Sequence, residues 1–267
     1  MATNSISKKF CISFFKVIVA ASLAVFVFAT TPAKAAVTYS GSALGNGAGQ
    51  TNSATATFDL SISGTTTDLI VTLSNTAKYK PNDGPDILEA VFFTITGDPA
   101  LTRISGVLNT NSFGVENGSN LSIPSGHIGG SWTYGNNLSG APSGANEGLS
   151  AAGLTGMFGS GEVFPDAAMP GDGNPPDGVG GGLTTSVDDG SQYNGGLTGQ
   201  PFIKTSAVFT LGNVPASFTL AQISTVSFGY GTLPDQTYPA TLVPEPSSIA
   251  LALSGIALLG LIGRRRR

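Results

Sequence analysis

The middle of the chain alternates apolar and polar residues with period two. Ala54, Ala56, Phe58, Leu60 and Ile62 are interleaved with Thr55, Thr57, Asp59, Ser61 and Ser63, the pattern of a strand with one buried and one wet face. Gly64 and the threonines after it read as a turn, and Leu69, Val71 and Leu73 continue the alternation as a hairpin partner. Residues 87–96 are apolar on both faces through Leu88, Phe92 and Phe93, which predicts a central strand. Residues 101–108 are a fourth strand, and residues 130–134, with Trp132, a short fifth. Between 135 and 200 regularity fades. Gly, Pro, Asn and Asp dominate there, which disfavours helix and reads as loop with a short turn around 149–158. Alternation returns at Ala207, Phe209 and Leu211, then at Phe218 and Leu220, and at Val226, Phe228 and Tyr230. Short strands, Gly-rich turns and no long amphipathic helix predict an all-β domain, a β-sandwich or jelly-roll.

Two compact apolar runs lie outside this pattern, one at each end. Residues 1–35 read as a secretory signal. Lys8, Lys9 and Lys16 form its basic region, 17–29 its apolar stretch, and Ala33-Lys34-Ala35 its small-x-small cleavage site, leaving Ala36 as the mature N-terminus. Signal peptidase is therefore an expected partner. At the other end Pro244-Glu245-Pro246 precedes an apolar stretch, 247–263, and then Arg264, Arg265, Arg266 and Arg267. Seventeen residues of helix span about 25 Å at 1.5 Å per residue, enough to cross the hydrocarbon layer. The arginines stop transfer and stay on the cytoplasmic side, so both ends predict one topology, with the middle exported. The expected organisation is 1–35 signal peptide, 36–233 β-sandwich-like passenger, 234–243 linker and 244–267 tail.

Pro244-Glu245-Pro246, an apolar helix and a terminal arginine cluster, in that order, resemble the PEP-CTERM sorting tail of Gram-negative bacteria. The resemblance implies recognition and processing by exosortase, a membrane cysteine protease, near the Pro-Glu-Pro motif, transient anchoring by the C-terminal helix, and then delivery to the cell surface or extracellular matrix. The passenger is also similar to a recurring group of exosortase-dependent surface proteins. That similarity lies in Thr72-Leu73-Ser74-Asn75-Thr76-Ala77, Ala90-Val91-Phe92-Phe93, Ser150-Ala151-Ala152-Gly153-Leu154 and Val226-Ser227-Phe228-Gly229-Tyr230-Gly231-Thr232. It implies no activity.

Charge narrows the function classes. Residues 36–246 hold four basic residues, Lys78, Lys80, Arg103 and Lys204, and all sixteen acids, a formal charge of −12. Such a domain repels polyphosphate and is not expected to bind nucleic acid. The only cysteine, Cys11, lies in the signal segment, so the passenger has no thiol chemistry or Cys-ligated metal.

Poised chemistry is sparse. His127 is the only histidine, in a turn-like Gly126-His127-Ile128-Gly129, and no Gly-x-Ser-x-Gly elbow accompanies it. No catalytic residue is assigned. Among the glutamates, Glu89 stands out in an otherwise apolar strand, where burial would raise its pKa; an outward or edge position is the plainer expectation. No cofactor is expected other than calcium, for which Asp172, Asn174 and Asp177 pack hard oxygen donors into a Gly-rich loop that departs from the EF-hand, with Asp188 and Asp189 nearby. Trp132 and Tyr134, with Tyr193, offer aromatic faces for sugar stacking. The leading expectation is a non-enzymatic, structural or adhesive surface or matrix protein. The alternative is a carbohydrate-binding module, calcium-assisted, with extracellular polysaccharide as partner. Glycoside hydrolysis through paired carboxylates and ice binding through threonines such as Thr55, Thr57, Thr94 and Thr96 are the remaining readings.

Overall fold

The computed structural model describes residues 36–45, 50–173, 175–176 and 178–244. In chain order its strands are β1 (Val37–Leu44), β2 (Thr51–Ser63), β3 (Thr66–Asn75), β4 (Leu88–Ile95), β5 (Thr102–Leu108), β6 (Phe113–Glu116), β7 (Ser119–Leu121) and β8 (Thr133–Asn136). They continue with β9 (Glu147–Ser150), β10 (Leu183–Thr184), β11 (Pro201–Lys204), β12 (Ser206–Gly212), β13 (Ile223–Tyr230), β14 (Thr237–Pro239) and β15 (Thr241–Val243). One sheet runs β15-β1-β2-β3-β12-β5. The other runs β14-β13-β4-β10-β11-β6-β7, with β9 also on β4 and β8 on β9. The fold is all-β and sandwich-like, as the alternation predicts.

The β2–β3 hairpin forms where its apolar period and glycine place it. Ser63 pairs with Thr66, and Gly64, at φ 61, takes the first central position of a two-residue turn, where a positive φ suits glycine. Ala54, Ala56, Phe58, Leu69, Val71 and Leu73 face inward and are buried. Rings cross between the sheets: Phe58 meets Phe93 of β4 edge-on at 5.1 Å. The opposite face of the same sheet is hydroxyl-lined. Pairing aligns Thr38, Thr57 and Thr72 in one row and Ser40, Thr55, Ser74 and Ser206 in another.

β4 is central, as its two-sided apolarity predicts, with β13 on one edge and β9 and β10 on the other. Its second apolar face needs a cover, and residues 135–200 supply it. Ala141, Ala145, Leu154 and Phe158 pack on Ala90 and Phe92, and Leu197 packs beside Ile87, Val115 and Phe202. The stretch read as loop thus carries β9 and β10 and serves as a third layer. Its glycines and prolines forbid long regular elements, but the apolar surface beneath holds it in place.

Two boundaries need correction. Residues 234–243, expected to be a linker, include β14, paired with β13, and β15, paired with β1. Three-residue edge strands need a ladder on one side only and are too short to show alternation. The expected strand at 130–134 is instead a 3-10 turn at Gly129–Ser131 followed by β8.

Candidate functional site

Glu89 lies inside β4 at a break in register. Gly229 of β13 pairs with Ala90, but Tyr230 pairs with Leu88, so Glu89 is the extra residue of a β-bulge. Bulges re-aim side chains and recur near functional sites. On the other edge Leu183 pairs with Leu88, which brings Gly182 opposite Glu89. The outward or edge position expected for Glu89 is not found: it is wholly buried. Neither carboxyl oxygen has a hydrogen-bond partner. Burial first, then the Asp172 carboxylate beside it, push its pKa well above the usual carboxylate range.

The glycines 180–182 form the floor of this site. A Cβ on Gly182 would lie 2.2 Å from Glu89 Oε1, and one on Gly180 would lie 2.7 Å from Asp172 Oδ1 and 3.2 Å from Gln200 Oε1. Gly181, at φ 82, accepts a 3.0 Å hydrogen bond at its carbonyl from the Trp132 indole N–H. Three residues read separately in the sequence, Glu89, Trp132 and Asp172, therefore meet at one tripeptide. The triple glycine is a packing requirement, because any side chain at 182 collides with the buried acid. Gly182→Ala is expected to destabilise the protein by about 1–3 kcal/mol, the usual cost of overpacking a filled site. A urea unfolding midpoint equal to wild type would refute the contact.

The other candidates separate. Asn174 and Asp177 lie outside the described residues. Asp188 is tied into its own loop. Its side chain is buried and accepts from Thr184 Oγ1 at 2.6 Å, from the Tyr193 hydroxyl and from the Gly190 amide at 3.0 Å. Asp189 is on the surface, 2.6 Å from Lys80 Nζ, which with Ser191 holds its carboxyl well below the usual range. Both acids organise a turn. The stacking platform also requires correction. Trp132 is 0% and Tyr134 2% exposed. The Trp132 ring packs on Phe209 at 4.8 Å, and Tyr193 lies edge-on to Phe202 with its hydroxyl on Asp188. Two aromatics on one strand face suit a core as well as a platform, and here the facing sheet covers them. His127 Nδ1 lies 3.2 Å from Asp166 Oδ1, and its backbone bridges to Val107.

A second acid site escaped the sequence reading. Glu147 opens β9 on the inner face, paired with Phe93 and Asn136. It is buried, and the Tyr134 hydroxyl donates to its Oε2. Burial pushes its pKa up to about 8; the Tyr134 hydrogen bond opposes the rise and Asp98 adds to it. Nearby, between the edges of β5 and β8, runs a cleft of about 420 Å³ lined by Arg103, Tyr134 and Asn136 among others. Arg103 Nη1 donates to the Tyr134 carbonyl at 3.1 Å. Glu147 sits inside the glycine-rich stretch, where the four residues of β9 are too few for alternation to mark a strand.

At the C-terminal edge Val243 pairs with Thr38 of β1, and Pro244 follows at once. Glu245, Pro246 and the four arginines lie outside the described residues, as do Ala33 and Ala35 of the signal cleavage site. Ala36 is the first described residue. Among the described residues no helix is long and apolar enough to cross a membrane; the expected C-terminal span lies outside them. Neither the curated proteins nor the solved structures compared with the chain gave a match. Residues 242–267 match the PEP-CTERM protein-sorting motif, which marks the chain as an exported protein sorted through exosortase.

Proposed function

We propose that the passenger works outside the cell as a structural or adhesive component of the surface or matrix, without catalysis of its own. The sorting motif at residues 242–267 carries this reading. Two features of the fold support it. The hydroxyl rows on the outer face of the six-stranded sheet offer a broad contact surface, and the strong net negative charge keeps such a domain soluble. As a general acid Glu89 has no surface on which to meet a glycoside. Stacking on Trp132 or Tyr134 is closed to a sugar in the same way.

The test is fractionation with mass spectrometry of the C-terminus, in cells with and without the sorting protease. With the protease, the chain should end near Pro244 and leave the inner membrane. Without it, the arginine-ended tail should persist and the chain stay in the membrane fraction. Intact 267-residue chain in the cytosol would overturn the address. Purified passenger that hydrolyses polysaccharides or esters would overturn the non-enzymatic part.

A further inference from the structure

Residues 36–246 hold four cations, and the fold commits two of them. Lys80 Nζ pairs with Asp189 at 2.6 Å. Lys204 Nζ donates to the Asp188 carbonyl at 2.7 Å and lies over the Phe113 ring. Lys78 is exposed. Arg103 differs from all three: it is half-buried on β5 and lines the cleft between β5 and β8. Its Nη1 donates to the Tyr134 carbonyl at 3.1 Å, which fixes the guanidinium against the cleft wall. The ion pairs among the described residues, Lys80–Asp189 and His127–Asp166, do not include it. A guanidinium carries a fork of N–H donors, and one bond leaves most of it available. The acids nearby are engaged with other donors. Asp98 accepts from Asn146 Nδ2 at 3.2 Å, Glu162 accepts from the Gly159 amide at 3.1 Å, and Glu147 takes the Tyr134 hydroxyl.

We propose that this cleft binds a uronate unit of an acidic polysaccharide, with Arg103 holding the sugar carboxylate. The planar guanidinium meets a carboxylate through two parallel N–H bonds, a geometry that an ammonium cannot offer. Asn136, exposed at the end of β8, supplies an amide donor and acceptor for ring hydroxyls. Leu101, Val163 and Pro165 provide an apolar wall for the face of a sugar ring. At about 420 Å³ the cleft has the size of a small-ligand site and admits a sugar unit, not a folded partner. Strand addition by an extended peptide is disfavoured, because the edge of β8 is already in use. Thr133 bridges to Val163, and the Tyr134 carbonyl is bonded to Arg103. The negative charge of the domain repels densely charged polymers, so the uronates that fit are those spaced by neutral sugars. A lone carboxylate then meets Arg103 well inside the screening length of about 8 Å. This deepens the adhesive reading by naming its partner, and rests on that reading only for a place outside the cell.

The purified full chain, in a polyoxyethylene detergent, is titrated with methyl glucuronide and methyl galacturonide by ligand-observed NMR. The neutral counterparts, methyl glucoside and methyl galactoside, carry a hydroxymethyl in place of the carboxylate. At least one uronide should bind about tenfold or more tighter than its counterpart, and Arg103→Gln should remove that advantage. If Arg103→Gln fails to fold, Arg103→Lys keeps the charge, loses the fork and should weaken the uronide at least about fivefold. A native gel cast with glucuronoxylan, whose uronates are spaced along a neutral chain, should retard the protein, and one cast with neutral arabinoxylan should not. Binding of neither uronide, equal binding of the neutral sugars, or full affinity in a folded variant overturns the site. Inorganic phosphate that displaces the uronide at equal concentration makes this a general anion site and overturns the assignment to uronates. Equal retardation in both gels, or in neither, overturns a uronate polymer as the partner. Purified protein is used throughout, so none of these outcomes depends on sorting, and the fractionation test decides the address separately.

Discussion

Truncating Trp132 to alanine is expected to cost about 3–5 kcal/mol, the range for removing a buried aromatic ring. The ring is 0% exposed and packs on Phe209, which in turn contacts Phe164. Its indole N–H satisfies the Gly181 carbonyl. Alanine therefore opens a cavity between the two sheets and leaves a buried acceptor unpaired, two losses that add. Trp132→Phe keeps most of the volume and loses only the donor, so it should cost about 1–2 kcal/mol. Urea unfolding followed by far-UV circular dichroism reads both variants without relying on tryptophan emission. A Trp132→Ala chain within about 0.5 kcal/mol of wild type would place the ring on the surface. If that chain also lost glycan binding, the stacking platform would be restored.

The same residue shows what the sequence makes legible. Trp132 and Tyr134 are two apart, which puts them on one face of an extended segment, but period two does not say which face the partner sheet covers. Where alternation is long the reading holds. β2 and β3 form the hairpin, and β4, apolar on both sides, takes the centre. Short edge strands do not announce themselves. β7, β14 and β15 have three residues each, too few for a period, and β15 is held by β1, a partner distant in sequence. Residues 135–200 mislead differently. Their glycines correctly forbid long elements, but the cover they form follows from the apolar outer face of β4, a property of another segment. The register break at Glu89 depends on Gly229 and Tyr230 of β13, about 140 residues later in the chain. No local pattern encodes that pairing, so the meeting of Glu89 with Asp172 could not be read in advance.

Stability should fall as pH rises, because a buried acid favours its protonated form. Glu147 has a folded pKa of about 8 against an ordinary 4.5. Between those values the folded state holds a proton that the unfolded chain releases, so the slope of unfolding free energy against pH is negative. The stability is full below about pH 4.5, declines through neutrality and levels off above about 8. Each pH unit separating the folded and unfolded titrations corresponds to about 1.4 kcal/mol. Asp98 is exposed and Arg103 half-buried, so solvent reaches part of the pair and screens it, leaving about 2 kcal/mol across the window. Glu147→Gln removes the titration yet keeps an oxygen to accept from Tyr134. The variant should gain on wild type steadily from pH 4.5 to 8 and stay ahead above it. Glu89 bends both curves in the same direction, so the difference between wild type and variant isolates Glu147. A difference that is flat with pH would mean that Glu147 is charged in the folded protein. The Tyr134 pair would then be an ordinary solvated contact at the mouth of the cleft.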